Sequence, residues 1–408
     1  MEPKYYIYSF VILLTIYGIA VGNYPKFKMN RATIALIGAV VLILINAISF
    51  ERALLAVDLN TILLLFSMMV INSNLKIAGF FNKTTQFVLK YASTPIRLLF
   101  LVTFSSGILS ALFLNDTIVL AVTPVLIDVL KRLKRNPVPY IIALVASANI
   151  GSSATLIGKP QNMIIGIASG INFVDYTLIQ SVPSLIGLFL INLVIIPLYR
   201  KEFNNENFGA IHIERVYIYK PLLVKSIVSL IIMLGMMVIG INLALSAFTA
   251  AAILLFTRRL KPERVFQEID WSLLVFFSGL FIITDSIETS GIGKMLFVGM
   301  KPFFDDGLAS FTVTTALLSN LVSNVPAVIL IKPLIPMMGD QDKMWMVLGF
   351  ASTFAGNLTL LGSVANLIGV EIARKQNIII SFREYLKSGI LITVLSIAVG
   401  LIWFIYIT

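Results

Sequence analysis

Two ionisable side chains, Asp116 and Lys159, stand inside otherwise apolar stretches of the sequence, each beside a cluster of Asn, Ser, Thr and Gly. A charge at membrane depth costs roughly 2.5–3.5 kcal/mol on insertion scales, so its retention points to function. A carboxylate there can coordinate Na⁺ or carry a proton. An ammonium can attract an anion, pair with the acid, or occupy the place of a bound Na⁺. The structural alternatives are an N-cap for Asp116 and snorkelling towards the surface for Lys159. Lys159 belongs to SANIGSSATLIGKPQNMIIG at 147–166, which recurs in degenerate form as STFAGNLTLLGSVANLIG at 352–369. Both copies keep a Thr, a Gly and an Asn at the same spacing: Thr155/Gly158/Asn162 and Thr359/Gly362/Asn366. Backbone freed from a helix in lipid must line a protein-enclosed cavity or bind something. Two such interruptions in corresponding halves point to the substrate site of a secondary transporter.

The elements that position these residues follow from composition. The chain has 408 residues, 58% of them hydrophobic and 12% charged. Apolar runs of about 18–20 residues alternate with short charged loops, and each run is long enough to cross the hydrocarbon core as a helix. The expected class is an all-α polytopic membrane protein. A net charge of +11 is explained by loops on one membrane face, with no soluble basic domain to bind nucleic acid. The chain has no cysteine and one histidine, His212, in a polar linker. Disulfides, thiolate metal sites and cysteine nucleophiles are therefore excluded, and no cofactor is expected. No serine comes with a histidine base, so the reading is not an enzyme. The first run, 5–22, follows the uncharged MEPK and reads as a mature span rather than a signal peptide.

The chain is a duplication. Glu51-Arg52 with Asp58 matches Glu263-Arg264 with Asp270, Asn115 with Pro124 matches Asn324 with Pro333, and the Thr/Gly/Asn sets follow in the same order. An ordered series whose offset drifts slowly is a repeat with small loop deletions. The first repeat is placed at 1–200, with a hairpin at 97–133 and a broken helix at 139–170. A linker at 201–216 leads to the second repeat at 217–408, with a hairpin at 308–338 and a broken helix at 344–373. Each hairpin has a polar tip, at Asn115 or Asn324. Several arms are about 16 residues or fewer, short for a crossing, so the hairpins are read as re-entrant. That leaves five crossings per repeat, and an odd number inserts the two copies in opposite orientation.

Charge fits this alternation. Of the 31 Lys and Arg, 22 fall on one side, including Lys26, Lys28, Arg31, the cluster at 131–135, Arg258, Arg259, Arg374 and Lys375. The other side has five: Lys4, Arg52, Lys294, Lys301 and Lys343. The positive-inside rule makes the rich side cytoplasmic and both termini extracytoplasmic, in a plasma or inner membrane. Lys76, Asp285 and Lys332 lie near span ends and read as snorkelling or scaffold charges.

FLNDTIVLAVTP at 113–124, the NPVPYIIALVASANIGSSATLIGKPQN that follows, SNVPAV at 323–328 and AGNLTLLGSVANLI at 355–368 resemble the ion transporter superfamily. The likeness is nearest to its arsenical-pump and anion-permease branch, which includes arsenite efflux permeases, divalent-anion/sodium symporters and certain sodium/proton antiporters. The resemblance covers nearly the whole chain. It implies two inverted repeats, a transport domain moving elevator-fashion against a scaffold, and a homodimer. It also implies a cation site at each hairpin tip and the break of the same repeat. The first would use Asn115, Asp116, Thr117, Asn149, Gly151, Ser152 and Thr155; the second Ser323, Asn324, Gly356, Asn357 and Thr359. Na⁺ would fall to Asn115, Asp116, Asn149, Asn324 and Asn357. Lys159 departs from the Asn or Asp expected before the proline, which favours proton coupling over sodium at the first site.

The interruptions create helix N-termini at the centre, after Asn115 and Asn324 and near Pro160 and Ser363. Their N–H groups and dipoles suit an anion or an acceptor-rich solute. Helix ends at the same breaks expose carbonyls that suit Na⁺. Asn115, Asp116 and Asn324 are alternatively caps, and Thr155 and Thr359 alternatively satisfy freed backbone. The expected function is secondary active transport of an anion (oxyanion, dicarboxylate or arsenite/antimonite) coupled to H⁺ or Na⁺. Substrate contact is expected from these tips together with Lys159, Asn162, Ser363 and Asn366. The alternative is a sodium/proton antiporter with Asp116 as the exchanging carboxylate.

Overall fold

The computed structural model describes residues 3–22, 29–204, 207–208, 217–257, 260–290 and 307–406. Of the residues singled out by charge, Lys26, Lys28, His212, Arg258, Arg259, Lys294 and Lys301 lie outside the described residues. Among the described residues there is no strand.

The first half runs α1 (Pro3–Val21), α2 (Arg31–Leu44), α3 (Phe50–Ala56), α4 (Leu59–Ile77), α5 (Phe80–Lys90), α6 (Pro95–Leu112), α7 (Asn115–Arg132), α8 (Val138–Ser152), α9 (Pro160–Ser169) and α10 (Phe173–Leu198). The second runs α11 (Lys220–Val238), α12 (Leu243–Leu255), α13 (Pro262–Phe266), α14 (Trp271–Thr289), α15 (Leu308–Val322), α16 (Asn324–Ile331), α17 (Gln341–Ala355), α18 (Val364–Lys375) and α19 (Phe382–Tyr406). A 3₁₀ turn, Lys332–Met337, extends α16, and another, Leu360–Gly362, sits between α17 and α18. The order is the same in both halves. The matched acids do the same work in each: Asp58 caps α4 through Asn60 and Thr61, and Asp270 caps α14 through Leu273. An N-cap carboxylate satisfies N–H groups that the first helical turn leaves unpaired.

Packing is reciprocal between halves. The second helix of each half, α2 or α12, packs on the long helix of the other, α14 or α4. Likewise α7 packs on α18, and α16 on α9. Two bodies result. One holds α1, α2, α4, α11, α12 and α14. The other holds both hairpins (α6–α7, α15–α16), both broken helices (α8–α9, α17–α18), α10 and α19. Outward faces are apolar, with Phe10, Leu13 and Tyr17 on α1 and Ile231 on α11 exposed where a bilayer would cover them. Small residues let the second body close up. A β-carbon at Gly151 on α8 would stand 2.1 Å from the Gly107 carbonyl oxygen on α6, so the two backbones touch directly.

The fold is the expected one: two inverted repeats, each with a hairpin and a broken helix. Length serves less well than expected for the first hairpin. Both its arms have 18 residues, about 27 Å and enough to approach a crossing, whereas those of the second have 15 and 8. The tip of the first hairpin packs against the break of its own repeat. Asn115 N donates to Gly158 O at 3.3 Å, and the Thr155 hydroxyl donates to Ala111 O. The tip therefore stops at the depth of the break. The short helix α5, apolar on one face, was not anticipated, and its counterpart region falls mostly outside the described residues.

The peripheral charges are paired or stacked. Arg52 makes two 2.8 Å bonds to Asp285, Lys76 pairs with Glu268 at 2.5 Å, and Lys332 lies 5.9 Å from the Phe281 ring centre.

Candidate functional site

Both helices are broken where the repeated motif predicts. α8 ends at Ser152 and α9 restarts at Pro160; α17 ends at Ala355 and α18 restarts at Val364. Gly151 and Ser152 are thus the last helical residues of α8 rather than part of the break. Asn115 and Asn324 are the first helical residues of α7 and α16, not their caps. Leu114 and Ser323 hold the cap positions and give no side-chain capping bond. Capping therefore does not account for the two asparagines. Ser323 sits at φ 81°, a left-handed conformation that costs a side-chain-bearing residue on the order of 1–3 kcal/mol.

The expected site residues separate into two groups. The first is a buried amide lattice. Asn149 Nδ2 donates to Asn357 Oδ1 at 2.8 Å and to Asn366 Oδ1 at 2.9 Å, while its Oδ1 accepts from Ser363 Oγ at 2.8 Å and from Asn115 Nδ2 at 3.4 Å. Asn162 Nδ2 spans the first break, donating to Ser152 O (2.9 Å) and Thr155 O (3.0 Å). Asn366 Nδ2 does the same in the second, to Gly356 O (2.8 Å) and Thr359 O (3.1 Å). This is why the motif needs Asn at that spacing: the amide satisfies carbonyls that no helical N–H reaches. The threonines also serve the backbone and its neighbours. Thr155 bonds Ala111 O, and Thr359 bonds Asn320 Oδ1 at 3.4 Å. Asn324, with its amide nitrogen turned to the main chain, reaches Ser352 O (3.3 Å) and Gly362 O (3.2 Å). Thr117 lies half-buried in the first turn of α7 and is not among the cavity-lining residues.

The second group faces a cavity of about 590 Å³ between the two bodies. Asn115, Asp116, Lys159, Ser323, Asn324 and Ser363 line it from the hairpin body. Six helices begin at its wall, with Asn115 (α7), Pro160 (α9), Asn324 (α16) and Val364 (α18) on one side and Arg31 (α2) and Asp270 (α14) on the other. Lys159 is 3% exposed and caps α9 by position only. Among the described residues its ammonium has no hydrogen bond and no ion pair within 4 Å. Asp116 and Asp270 line the same cavity. The cavity thus presents N–H dipoles, two cations (Lys159 and Arg31) and two acids (Asp116 and Asp270), and the dipoles and cations can hold an anion or acceptor-rich solute.

Asn149, Asn162, Asn357 and Asn366 lie behind this wall and do not line it. Sequence reading missed Arg31, Gln161 and Asp270 as cavity residues. Arg31 was counted as a loop charge and Asp270 only as a repeat anchor. Gln161 follows the KP of the motif and donates to Thr353 Oγ1 at 3.2 Å. Its adjacency to Lys159 was the available signal.

Comparison with known proteins agrees with this architecture. A family model described as citrate transporter matches residues 12–355. The chain is 30% identical to a 46 kDa membrane protein of Mycobacterium leprae, covering 96% of this chain and 97% of that one. It is 29% identical to the silicon efflux transporter LSI3 of Oryza sativa subsp. japonica, covering 86% and 87%. A putative transporter arsB of Dictyostelium discoideum shares 26% over 91% and 86%. Two solved structures share the fold at a TM-score of 0.62: the Alcanivorax borkumensis YdaH transporter (14% identity, 100% and 98% covered) and Neisseria gonorrhoeae MtrF (12%, 100% and 96%). With a match over most of its length, this chain belongs to the citrate transporter family and is a membrane transporter, not an enzyme.

Proposed function

We propose that the chain is a secondary active transporter of a small anion or acceptor-rich oxo solute, held in the central cavity and coupled to protons through Asp116. The observation that carries this reading is Lys159, a buried side chain that lines the cavity with no hydrogen bond or ion pair among the described residues, in a wall built from helix N-termini. An ammonium that opens on the cavity can form a charge-assisted hydrogen bond with an anion bound there. The family description as citrate transporter and the silicon and arsenic names of relatives fit a substrate rich in oxygen acceptors.

Proton coupling is favoured over sodium by two features. The carbonyls freed at the breaks are already taken by Asn162, Asn366 and Asn320, the last donating to Ala355 O at 2.7 Å. The Asn115, Asn149 and Asn357 amides expected to hold Na⁺ are bonded to one another. Protonation of Asp116 would leave the Lys159 charge uncompensated on the hairpin body. Proton and anion binding then reinforce each other, by the reciprocity of linked equilibria. The hairpin body would carry both past the other body in an elevator motion, within a plasma-membrane homodimer whose basic loops face the cytoplasm.

The test is purified protein in Na⁺-free proteoliposomes with an entrapped pH dye and a clamped membrane potential. Gradients of citrate, phosphate or arsenite should drive protons in the anion's direction. Proton movement driven by Na⁺ without any anion would establish the sodium/proton antiporter instead.

A further inference from the structure

We infer that Arg31 is a second, stationary anion contact that acts on only one face of the membrane. The inference rests on the anion reading above. Arg31 is the first residue of α2 and lines the same cavity as Lys159, but from the opposite body. Among the described residues it has neither a hydrogen bond nor an ion pair. Asp270 lines the same cavity, where its carboxylate also caps the first turn of α14, accepting from Leu273 N at 3.0 Å.

The Arg31 side chain lies over Gly22. Gly22, at φ +82°, leaves the room it needs: a β-carbon there would lie 3.2 Å from Arg31 Nε. The level of α2 is fixed by direct backbone contact with α14, since a β-carbon at Gly279 would stand 2.9 Å from the Ala35 carbonyl carbon. Lys159 therefore belongs to the body with the hairpins, and Arg31 to the body against which it packs. An anion in the cavity meets both cations. Once the hairpin body shifts, Lys159 keeps the anion and Arg31 stays behind. Arg31 thus raises affinity on the face where this cavity opens and not on the other, which makes binding asymmetric across the membrane.

The experiment compares right-side-out and inverted membrane vesicles containing the full chain, with citrate, phosphate and arsenite each as probe. Arg31→Gln should raise the apparent KM for the transported anion about tenfold on one face, the usual worth of one charge-assisted contact, and leave the other face unchanged. Arg31→Lys should stay within about twofold of wild type on both. Equal shifts on both faces, or none on either, would overturn the inference. Wild-type protein supplies a second readout that needs no folded variant: higher ionic strength should weaken KM more on the Arg31 face, and identical salt dependence on both faces would contradict it. Failure of wild-type protein to transport any of the three anions would instead remove the anion reading itself.

Discussion

Asn149 on α8 donates to Asn366 on α18 at 2.9 Å, and Thr353 on α17 returns the contact to Asn162 on α9 at 3.3 Å. These four residues are equivalent in pairs under the duplication, Asn149 with Thr353 and Asn162 with Asn366. Each repeat therefore braces the amide that spans the other repeat's break. The two interrupted helices are locked into one unit by side chains buried to the last atom or nearly so.

That brace predicts a stability effect larger than a single hydrogen bond. Asn149→Ala would take a hydrogen-bond partner from Asn366 Oδ1, Asn357 Oδ1, Asn115 Nδ2 and Ser363 Oγ at once, all on buried residues. The expected loss is about 2–4 kcal/mol, a sum of net desolvation penalties. Thermal unfolding of the detergent-solubilised protein should fall well below that of Thr353→Ala, which removes two longer contacts, to Asn162 and from Gln161. Equal melting of the two variants would show that the lattice is not the brace described.

Lys159→Met should separate binding from stability. The substitution removes the ammonium that the hairpin body presents to the cavity, so anion binding is lost while the apolar stem stays packed. The measurement is a thermal shift with and without citrate, phosphate or arsenite. A melting point that no longer responds to anion is expected; a retained anion response would exclude Lys159 from the site. Lys159→Asn should additionally gain Na⁺ dependence, which a Na⁺ titration of the same shift would reveal.

Ser323 carries backbone strain that glycine would relieve. Ser323→Gly should raise the melting temperature by the equivalent of about 1 kcal/mol, with transport reduced because a cavity hydroxyl is lost. Ser323→Val, unable to adopt φ 81° cheaply, should melt lower than wild type. If both variants melt alike, the strain does not limit stability.

Gly151→Ala places a methyl group on the Gly107 backbone. No rotamer can move a carbonyl aside, so α6 and α8 must separate and the first hairpin tip must leave Asn149. Size-exclusion chromatography should show little folded protein, and a normal yield would refute the contact.

The sequence carried the fold through three kinds of signal. Runs of apolar residues gave the spans, the repeated Thr/Gly/Asn set gave the breaks, and Asn115 and Asn324 gave the hairpin tips. These are legible because backbone unwound in lipid demands glycine and amides at fixed spacing. What could not be read is which of those polar residues face the cavity. Asn149 and Asn324 look alike in sequence, yet one is enclosed by four side-chain partners and the other borders open space. Arg31 escaped for the converse reason, since a basic residue at the start of a span is the ordinary mark of a cytoplasmic loop. Only the packing of α2 against α14 turns it inward.

The central claim, an anion held where the tips and breaks converge, is tested most directly by labelling Val325→Cys. Val325 borders the cavity and is half-buried, and the chain has no native cysteine to confuse the signal. A membrane-impermeant maleimide should react with this variant from one face only, and more slowly when the transported anion is present. Labelling that proceeds equally from both faces, or that citrate, phosphate and arsenite all leave untouched, would contradict the account.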